Sequence, residues 1–170
     1  MQEEAAGQGE RAFGFLTAVD SPAHGRFGGY LVVDGLGRPL EFHCTAPMKV
    51  SRAQQILYGP TLHGHLHGRQ IGAALLAEGK AGATVVLTDL ESMLHVRPHT
   101  NLPVVLIQQA EAAAIDGPGF RLGGTFVSPH ATDTPRSVEL EQRLAALAAA
   151  VDLREPFERI RLALDEAQRH

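Results

Sequence analysis

Three histidines at alternate positions are the residues of this chain with the clearest potential for chemistry. His63, His65 and His67 lie within the stretch TLHGHLHGRQIG. On a β-strand, side chains alternate between the two faces, so all three imidazoles would share one face. Three such imidazoles can bind zinc and leave a fourth coordination position for water. On a helix, only His63 and His67 would share a face, because they are four residues apart.

The residues around the histidines favour the helix. Two glycines and a leucine are poor strand formers, whereas glycines at positions 64, 68 and 72 follow a four-residue spacing. On a helix this spacing makes a groove that another element can approach closely, at a cost of about 1 kcal/mol per glycine relative to alanine. We therefore expect a glycine groove used for close packing, with the first and third histidines on one face.

The segment His63-Gly-His65-Leu-His67-Gly-Arg69 resembles the His-x-His-x-His core of the histidine-triad nucleotide hydrolases and transferases. The resemblance implies that His65 is a nucleophile toward phosphate and that His63 and His67 support it. That family has hydrophobic residues between the histidines, on a late strand, so the resemblance requires an extended segment here.

A zinc site with a ligand from elsewhere in the chain is a further alternative. In it, His63 and His67 would bind zinc together with His43, Cys44 or His95, and His43 is the preferred third ligand. Our first expectation is that no metal or other cofactor is bound. Adjacent strand residues point to opposite faces, so His43 would not activate Cys44, and we expect a buried, inert cysteine.

One acidic residue lies where α/β sheets often bind ligands. Asp89 ends the β-branched run VVLTD, and the carboxyl ends of parallel strands form such sites. The preferred alternative is that Thr88 or Asp89 caps the short helix that follows.

The pattern as a whole predicts an α/β (α+β mixed sheet) fold. It consists of an antiparallel meander plus a βαβ-like unit in one sheet, with a C-terminal helix pair. Apolar runs separated by turns in residues 11–45 predict the three-stranded meander. Ser51 and Gln54 form a capping box at a helix start. ATVVLTD and LPVVLIQ lie one short helix apart, as in a βαβ crossover, and FRLGGTFVS predicts the last strand.

Two apolar series near the C-terminus are out of phase with each other and predict two helices that meet near Asp152. Their members are Leu140, Leu144, Leu147 and Val151, followed by Leu153, Phe157, Ile160, Leu164 and Ala167. Residues 1–10 are polar and without periodicity, which predicts a disordered tail before a single α/β domain over residues 11–170.

Composition and charge restrict the function. The net charge is −4 and the sequence pI is about 6.1, with Lys and Arg scattered, so we expect no nucleic-acid partner. The acidic start MQEEAAGQGE and the lone Cys44 predict a cytoplasmic protein. No apolar run approaches the roughly 20 residues that span a bilayer, so we expect no membrane partner.

The runs EFHCTAPMKVSRAQQILYGPTL and DLREPFERIRLALDEA resemble an uncharacterised bacterial protein family. The resemblance implies no activity and no catalytic residue. We expect a non-enzymatic cytoplasmic binding or assembly module. Its expected partner is another protein or a second copy of the chain, in preference to a small molecule. The alternative is a histidine-dependent hydrolase, zinc-dependent or histidine-triad-like and acting on nucleotides, that uses His63, His65 and His67.

Overall fold

The computed structural model describes residues 11–111 and 117–169, so the predicted disordered tail at residues 1–10 lies outside the described residues. Within these ranges, seven strands form one mixed sheet in the order β3-β2-β1-β4-β5-β7-β6. The predicted α/β class is confirmed. The strands are β1 (Ala12–Ser21), β2 (Gly25–Val33), β3 (Pro39–Cys44), β4 (Ala83–Thr88), β5 (Val104–Gln109), β6 (Phe120–Leu122) and β7 (Thr125–Pro129).

Strand directions change at the centre of the sheet. β1, β2 and β3 form the predicted antiparallel meander, while β1, β4 and β5 are parallel neighbours. The crossover between β4 and β5 passes through a 3-10 helical segment, Glu91–His99, which confirms the βαβ-like unit. The carboxyl ends of the three parallel strands therefore meet at one edge of the sheet, the edge where open α/β folds bind ligands.

The last predicted strand is in fact a hairpin. β6 and β7 pair antiparallel across the two glycines of FRLGGTFVS. Gly123 has φ 63°, a conformation that glycine adopts without strain, and a Gly-Gly pair is typical of a two-residue hairpin turn. The two glycines therefore reverse the chain.

Helices cover both faces of the sheet. They are α1 (Arg52–Tyr58), α2, which is a π-helical turn (Gly64–Gly72) continued by an α-helix (Ala73–Glu78), α3 (Ser137–Ala150) and α4 (Glu155–Arg169). One face of the sheet packs on α3 and α4, and the other packs on α2 and the segment Glu91–His99. The predicted C-terminal helix pair is confirmed, with its break at Asp152.

The start of α1 follows the sequence closely. The Ser51 hydroxyl accepts from the backbone N–H of Gln54, and the Gln54 side chain accepts from the backbone N–H of Ser51. The predicted capping box is therefore confirmed. Among the residues that the structure describes, no helix combines the length and apolarity needed to cross a bilayer.

The turn after β2 is held by a buried carboxylate. Asp34 accepts hydrogen bonds from the backbone N–H groups of Leu36 and Arg38 and, at 2.7 Å, from Nε of Arg38. Burial by itself would raise the pKa of Asp34, but these donors outweigh it and the pKa lies below its ordinary value. The charged form of Asp34 therefore stabilises the folded state.

We expect Asp34→Asn to lower the free energy of unfolding at pH 7 by about 1–2 kcal/mol, because a charge-assisted hydrogen bond is lost. A carboxyl group with a lowered pKa stabilises the fold above its unfolded pKa of about 3.9 and loses that contribution as pH falls through the folded pKa. The difference between wild type and variant should therefore shrink below about pH 4. Urea denaturation between pH 7 and pH 3 measures it.

The matched control is Asp165→Asn, which removes an exposed carboxylate that pairs with Arg169 one helical turn away. Exposed pairs of this kind contribute about 0.5 kcal/mol or less. A difference for Asp34→Asn that stays constant down to pH 3 would mean that the charge of Asp34 does not stabilise the turn.

Candidate metal site

The histidine stretch is helical. His63 has α-helical backbone angles, and the π-helical turn Gly64–Gly72 follows it directly. The ring centroids of His63 and His67 are 5.6 Å apart. His65 lies elsewhere, with its ring stacked on Tyr58 at 4.4 Å. The structure therefore does not provide the extended segment that the histidine-triad resemblance requires, and it brings together two of the three histidines.

The glycines let α2 pack closely on the crossover segment. A Cβ placed on Gly68 would lie 2.5 Å from Cβ of His95 and 2.6 Å from its backbone carbonyl carbon. A Cβ on Gly64 would meet the ring of the same histidine, and one on Gly72 would meet Met93. The expected close approach is thus present, but the groove is filled from within the chain and offers no free surface to a partner.

This packing brings His63 and His67 to the end of β1, where Asp20 lies. One potential ligand atom from each of these three residues lies within 4.8 Å of the others, and they are the one such group found in the described ranges. The Nε2 atom of His67 is 3.6 Å from Oδ1 of Asp20. The cluster therefore combines two imidazoles with one carboxylate.

His67 is the buried member of the cluster. The residue is 6% exposed, and its Nε2 atom is buried with no hydrogen-bond partner. Its Nδ1 atom lies 2.6 Å from Oγ of Ser92. Burial lowers the pKa of His67 and outweighs the opposing effect of the Asp20 carboxylate. The imidazole is therefore neutral at pH 7, the form that binds metal ions.

The donor set and its spacing fit a divalent metal ion. Ligand atoms bound at about 2.0–2.1 Å in a tetrahedral site are about 3.4 Å apart, close to the separation between His67 and Asp20. With Nε2 on the metal, Nδ1–H would donate to Ser92, the kind of outer contact that fixes a ligating imidazole. Three protein ligands leave a coordination position open, as is typical of catalytic sites rather than structural ones.

The other proposed ligands lie away from this cluster. His43 is 3.4 Å from carboxylate oxygens of Glu41 and of Glu78, so the structure does not bring it to His63 and His67. His95 packs on the glycines. Cys44 is exposed, contrary to the expected burial, because it ends β3 at the edge of the sheet.

Asp89 has a different role from the expected cap. Its carboxylate accepts from Thr17 Oγ1 at 2.6 Å and from the guanidinium of Arg161 on α4. The neighbouring Thr88 hydroxyl accepts instead from the backbone N–H of Leu90. Asp89 therefore ties the carboxyl end of β4 to β1 and to α4.

Two cavities flank Asp20. The larger, about 680 Å³, is also lined by His67, by apolar residues and, from α4, by Arg161, Asp165 and Arg169. The smaller, about 460 Å³, is lined by Arg26 and Lys49, among others. Asp20 therefore lines both cavities, and His67 lines the larger one.

Asp20 is the site residue that sequence reasoning missed. It ends an apolar run and precedes SPAHG, so it looks like an ordinary turn residue. The criterion that could have identified Asp20 is the one used for Asp89, namely an acidic residue at the carboxyl end of a strand. It applies to Asp20 once β1 is known to run parallel to β4.

Comparisons with known proteins give a likeness in structure. No protein-family model and no curated protein sequence matches the chain. The structure is similar to the crystal structure of human ENDOV, an endonuclease V, with a TM-score of 0.51 and 15% sequence identity over 99% of this chain and 88% of that chain. At this identity the likeness shows the fold.

This likeness corrects two predictions. The expected non-enzymatic binding or assembly module is wrong, because the structure resembles that of human ENDOV, which is itself a nucleic-acid-acting enzyme. The expected absence of a nucleic-acid partner is wrong for the same reason. The prediction about nucleic acid depended on the charge of the whole chain, which does not reveal the local charge at a cleft. The prediction of a non-enzymatic module depended on sequence motifs, which do not reveal ligands assembled from separate elements.

Proposed function

We propose that this chain is a divalent-metal-dependent hydrolase that acts on phosphodiester bonds of nucleic acid at the cluster Asp20, His63 and His67. The observation that carries the proposal is the Nε2 atom of His67, which is buried, without a hydrogen-bond partner, and directed toward the Asp20 carboxylate. An unpartnered buried nitrogen costs about 1–3 kcal/mol, and a bound metal ion would remove that cost.

The fold supports the choice of substrate. The enzyme that the structure resembles is an endonuclease, and the cluster lies at the edge of the sheet where open α/β folds bind ligands. Arginine side chains, those of Arg26 and Arg161, line the cavities on either side of Asp20. Guanidinium groups bind phosphate oxygens through two parallel hydrogen bonds.

Each residue has a distinct part in the proposed site. Asp20 and His63 are exposed and would hold the metal from the solvent side, while buried His67 would fix its depth. Ser92 would orient His67 as a positioning residue. The ion would supply Lewis-acid catalysis for the attack of water on phosphorus, with cleavage of the P–O bond to the leaving oxygen.

The same geometry suggests one competing chemistry. Ser92 Oγ lies at hydrogen-bond distance from one ring nitrogen of His67, and the Asp20 carboxylate faces the other. The order of the three residues resembles a serine nucleophile with its base and orienting acid. The 3.6 Å gap on the Asp20 side is long for a hydrogen bond but suits two ligands of one ion.

The test uses tag-free protein stripped with a chelator and then supplied with Mg²⁺, Mn²⁺ or Zn²⁺. We expect cleavage of labelled DNA or RNA oligonucleotides only after metal is added. Ser92→Ala should weaken metal binding by about 10–100-fold, as for other outer-shell partners, and at saturating metal it should retain most of the wild-type rate.

Two results would overturn the proposal. Cleavage that survives chelation and is abolished in Ser92→Ala would assign the site to serine chemistry. If calorimetry detects no metal binding and no oligonucleotide is cleaved, the chain is not a hydrolase of this kind.

We also propose that residues 11–170 act as one domain in the cytoplasm. The continuous sheet supports the first part. The exposed free thiol of Cys44 supports the second, because reducing compartments keep such thiols unpaired.

A further inference from the structure

The smaller of the two cavities beside Asp20 has the character of an anion site. Arg26 and Lys49 both line it, from the start of β2 and from the segment that follows β3. The two segments are held together by backbone hydrogen bonds in both directions between Arg26 and Met48, at 2.8 and 2.7 Å. The two backbone segments that carry these cationic residues are thus held together beside a cleft of about 460 Å³.

The guanidinium of Arg26 has unused hydrogen-bonding capacity. Its side chain is 19% exposed, and its Nη1 atom is buried without a hydrogen-bond partner. Its Nε atom is 3.4 Å from Oδ1 of Asp20, its cross-strand partner in the β1–β2 ladder. A buried charged group in this state is stabilised by an anion that accepts from the free N–H groups.

Metal binding would strengthen this preference. The Asp20 oxygen that faces Arg26 is the one that faces His67. When this carboxylate binds a cation, it no longer compensates the charge of Arg26. The guanidinium and the Lys49 ammonium then form a positive cleft directly beside the cluster.

We infer that this cleft, lined by Arg26 and Lys49, binds a phosphate group of the nucleic-acid backbone. This phosphate would neighbour the phosphodiester that lies at Asp20, His63 and His67. The inference rests on the proposed function for its substrate class. A guanidinium can hold two phosphate oxygens at once, and a lysine ammonium adds a point charge. The phosphate in the cleft would fix the register of the strand on the cluster.

The test separates binding from cleavage. Binding of a fluorescent single-stranded oligonucleotide is measured with chelator present, so that no metal-dependent cleavage occurs, over a range of salt concentrations. We expect Lys49→Met and Arg26→Met each to weaken binding about tenfold, and each to lower the slope of log K against log salt by about 0.7. Lys80→Met, at an exposed lysine outside the cleft, should change neither value.

Competition and cleavage supply the other arms. Inorganic phosphate should displace the oligonucleotide from wild type at lower concentration than from Lys49→Met, an exposed substitution that leaves the fold intact. If wild type cleaves oligonucleotides with added metal and neither variant alters binding or its salt slope, the cleft is not a phosphate site while the proposed function stands.

If both variants weaken binding and flatten the slope but no metal supports cleavage, the phosphate site stands and the proposed function falls. If wild type binds the oligonucleotide neither in chelator nor with metal added, the phosphate site is overturned, whatever the cleavage assay shows.

Discussion

Replacing His67 with alanine is expected to abolish metal binding and to lower kcat/KM for oligonucleotide cleavage on the order of 1000-fold, beyond the 10–100-fold typical of an outer-shell partner. The reason is that His67 supplies the buried ligand, and the remaining pair, Asp20 and His63, are both exposed. Two flexible exposed ligands do not hold an ion at a fixed depth. Calorimetric metal titration and steady-state kinetics measure the two effects.

The matched control is His65→Ala, two residues away on the same π-helical turn. His65 stacks on Tyr58, lies at hydrogen-bond distance from Gln70 and is outside the ligand group. This variant should therefore keep its metal affinity within about threefold of wild type. A general effect of removing an imidazole from this helix would appear in both variants. An effect on the site would appear in His67→Ala alone.

Loss of the buried His67 ring also leaves a cavity and removes the partner of Ser92, which would destabilise the fold by about 2–3 kcal/mol. His63→Ala avoids this complication, because His63 is exposed. It should weaken metal binding at least about 100-fold with an unchanged melting temperature. Full metal affinity in both His63→Ala and His67→Ala would show that the cluster does not bind the ion.

The sequence predicts the fold well where the pattern is local. The capping box at Ser51, the out-of-phase apolar series around Asp152 and the β-branched run before Asp89 each depend on a few neighbouring residues, and each is found in the structure. The hairpin at Gly123 was missed, because two glycines within an apolar run can mark either a weak strand or a turn.

The site could not be predicted in the same way, because its members meet only through the tertiary fold. Asp20 lies near His67 only because β1 pairs with β4 and α2 packs on the crossover segment. His43, the preferred third ligand in the sequence analysis, lies instead near Glu41 and Glu78. The His63 and His67 pair was recognisable from helical spacing, but the carboxylate that completes it was not.

The net charge was a misleading guide to nucleic-acid binding for a related reason. A net charge of −4 describes the whole chain, whereas a nucleic-acid strand responds to the potential of the cleft that it enters. Arg26, Lys49 and Arg161 are far apart in the sequence and form no basic run. The structure places them on the walls of two cavities that share Asp20.

Gly68→Ala is expected to lower the free energy of unfolding by about 3 kcal/mol, at the upper end of the range for overpacking. Helix propensity alone predicts the opposite, a gain of about 1 kcal/mol. The packing effect should win because the added Cβ meets backbone atoms of His95 and Val96, at 2.6 and 2.8 Å, and backbone cannot rotate away as a side-chain end can. Urea denaturation measures the sign directly.

Two further glycine variants grade the effect. Gly64→Ala meets only the ring of His95, an exposed side chain that can turn aside, so its effect should be smaller. Gly35→Ala has nothing within 4 Å and should change stability by less than about 0.5 kcal/mol. If Gly68→Ala stabilises the protein, then α2 and the crossover segment are not in the close contact described above.

The same variant also tests how the site is held. To accept a methyl group at Gly68, α2 must move away from the segment Glu91–His99, and this movement carries His67 away from Ser92. Metal affinity should therefore fall in Gly68→Ala under conditions where the protein is still fully folded, although the substitution removes no ligand atom. If the variant is destabilised but its metal affinity is unchanged, then Asp20 and His63 bind the ion without a contribution from His67.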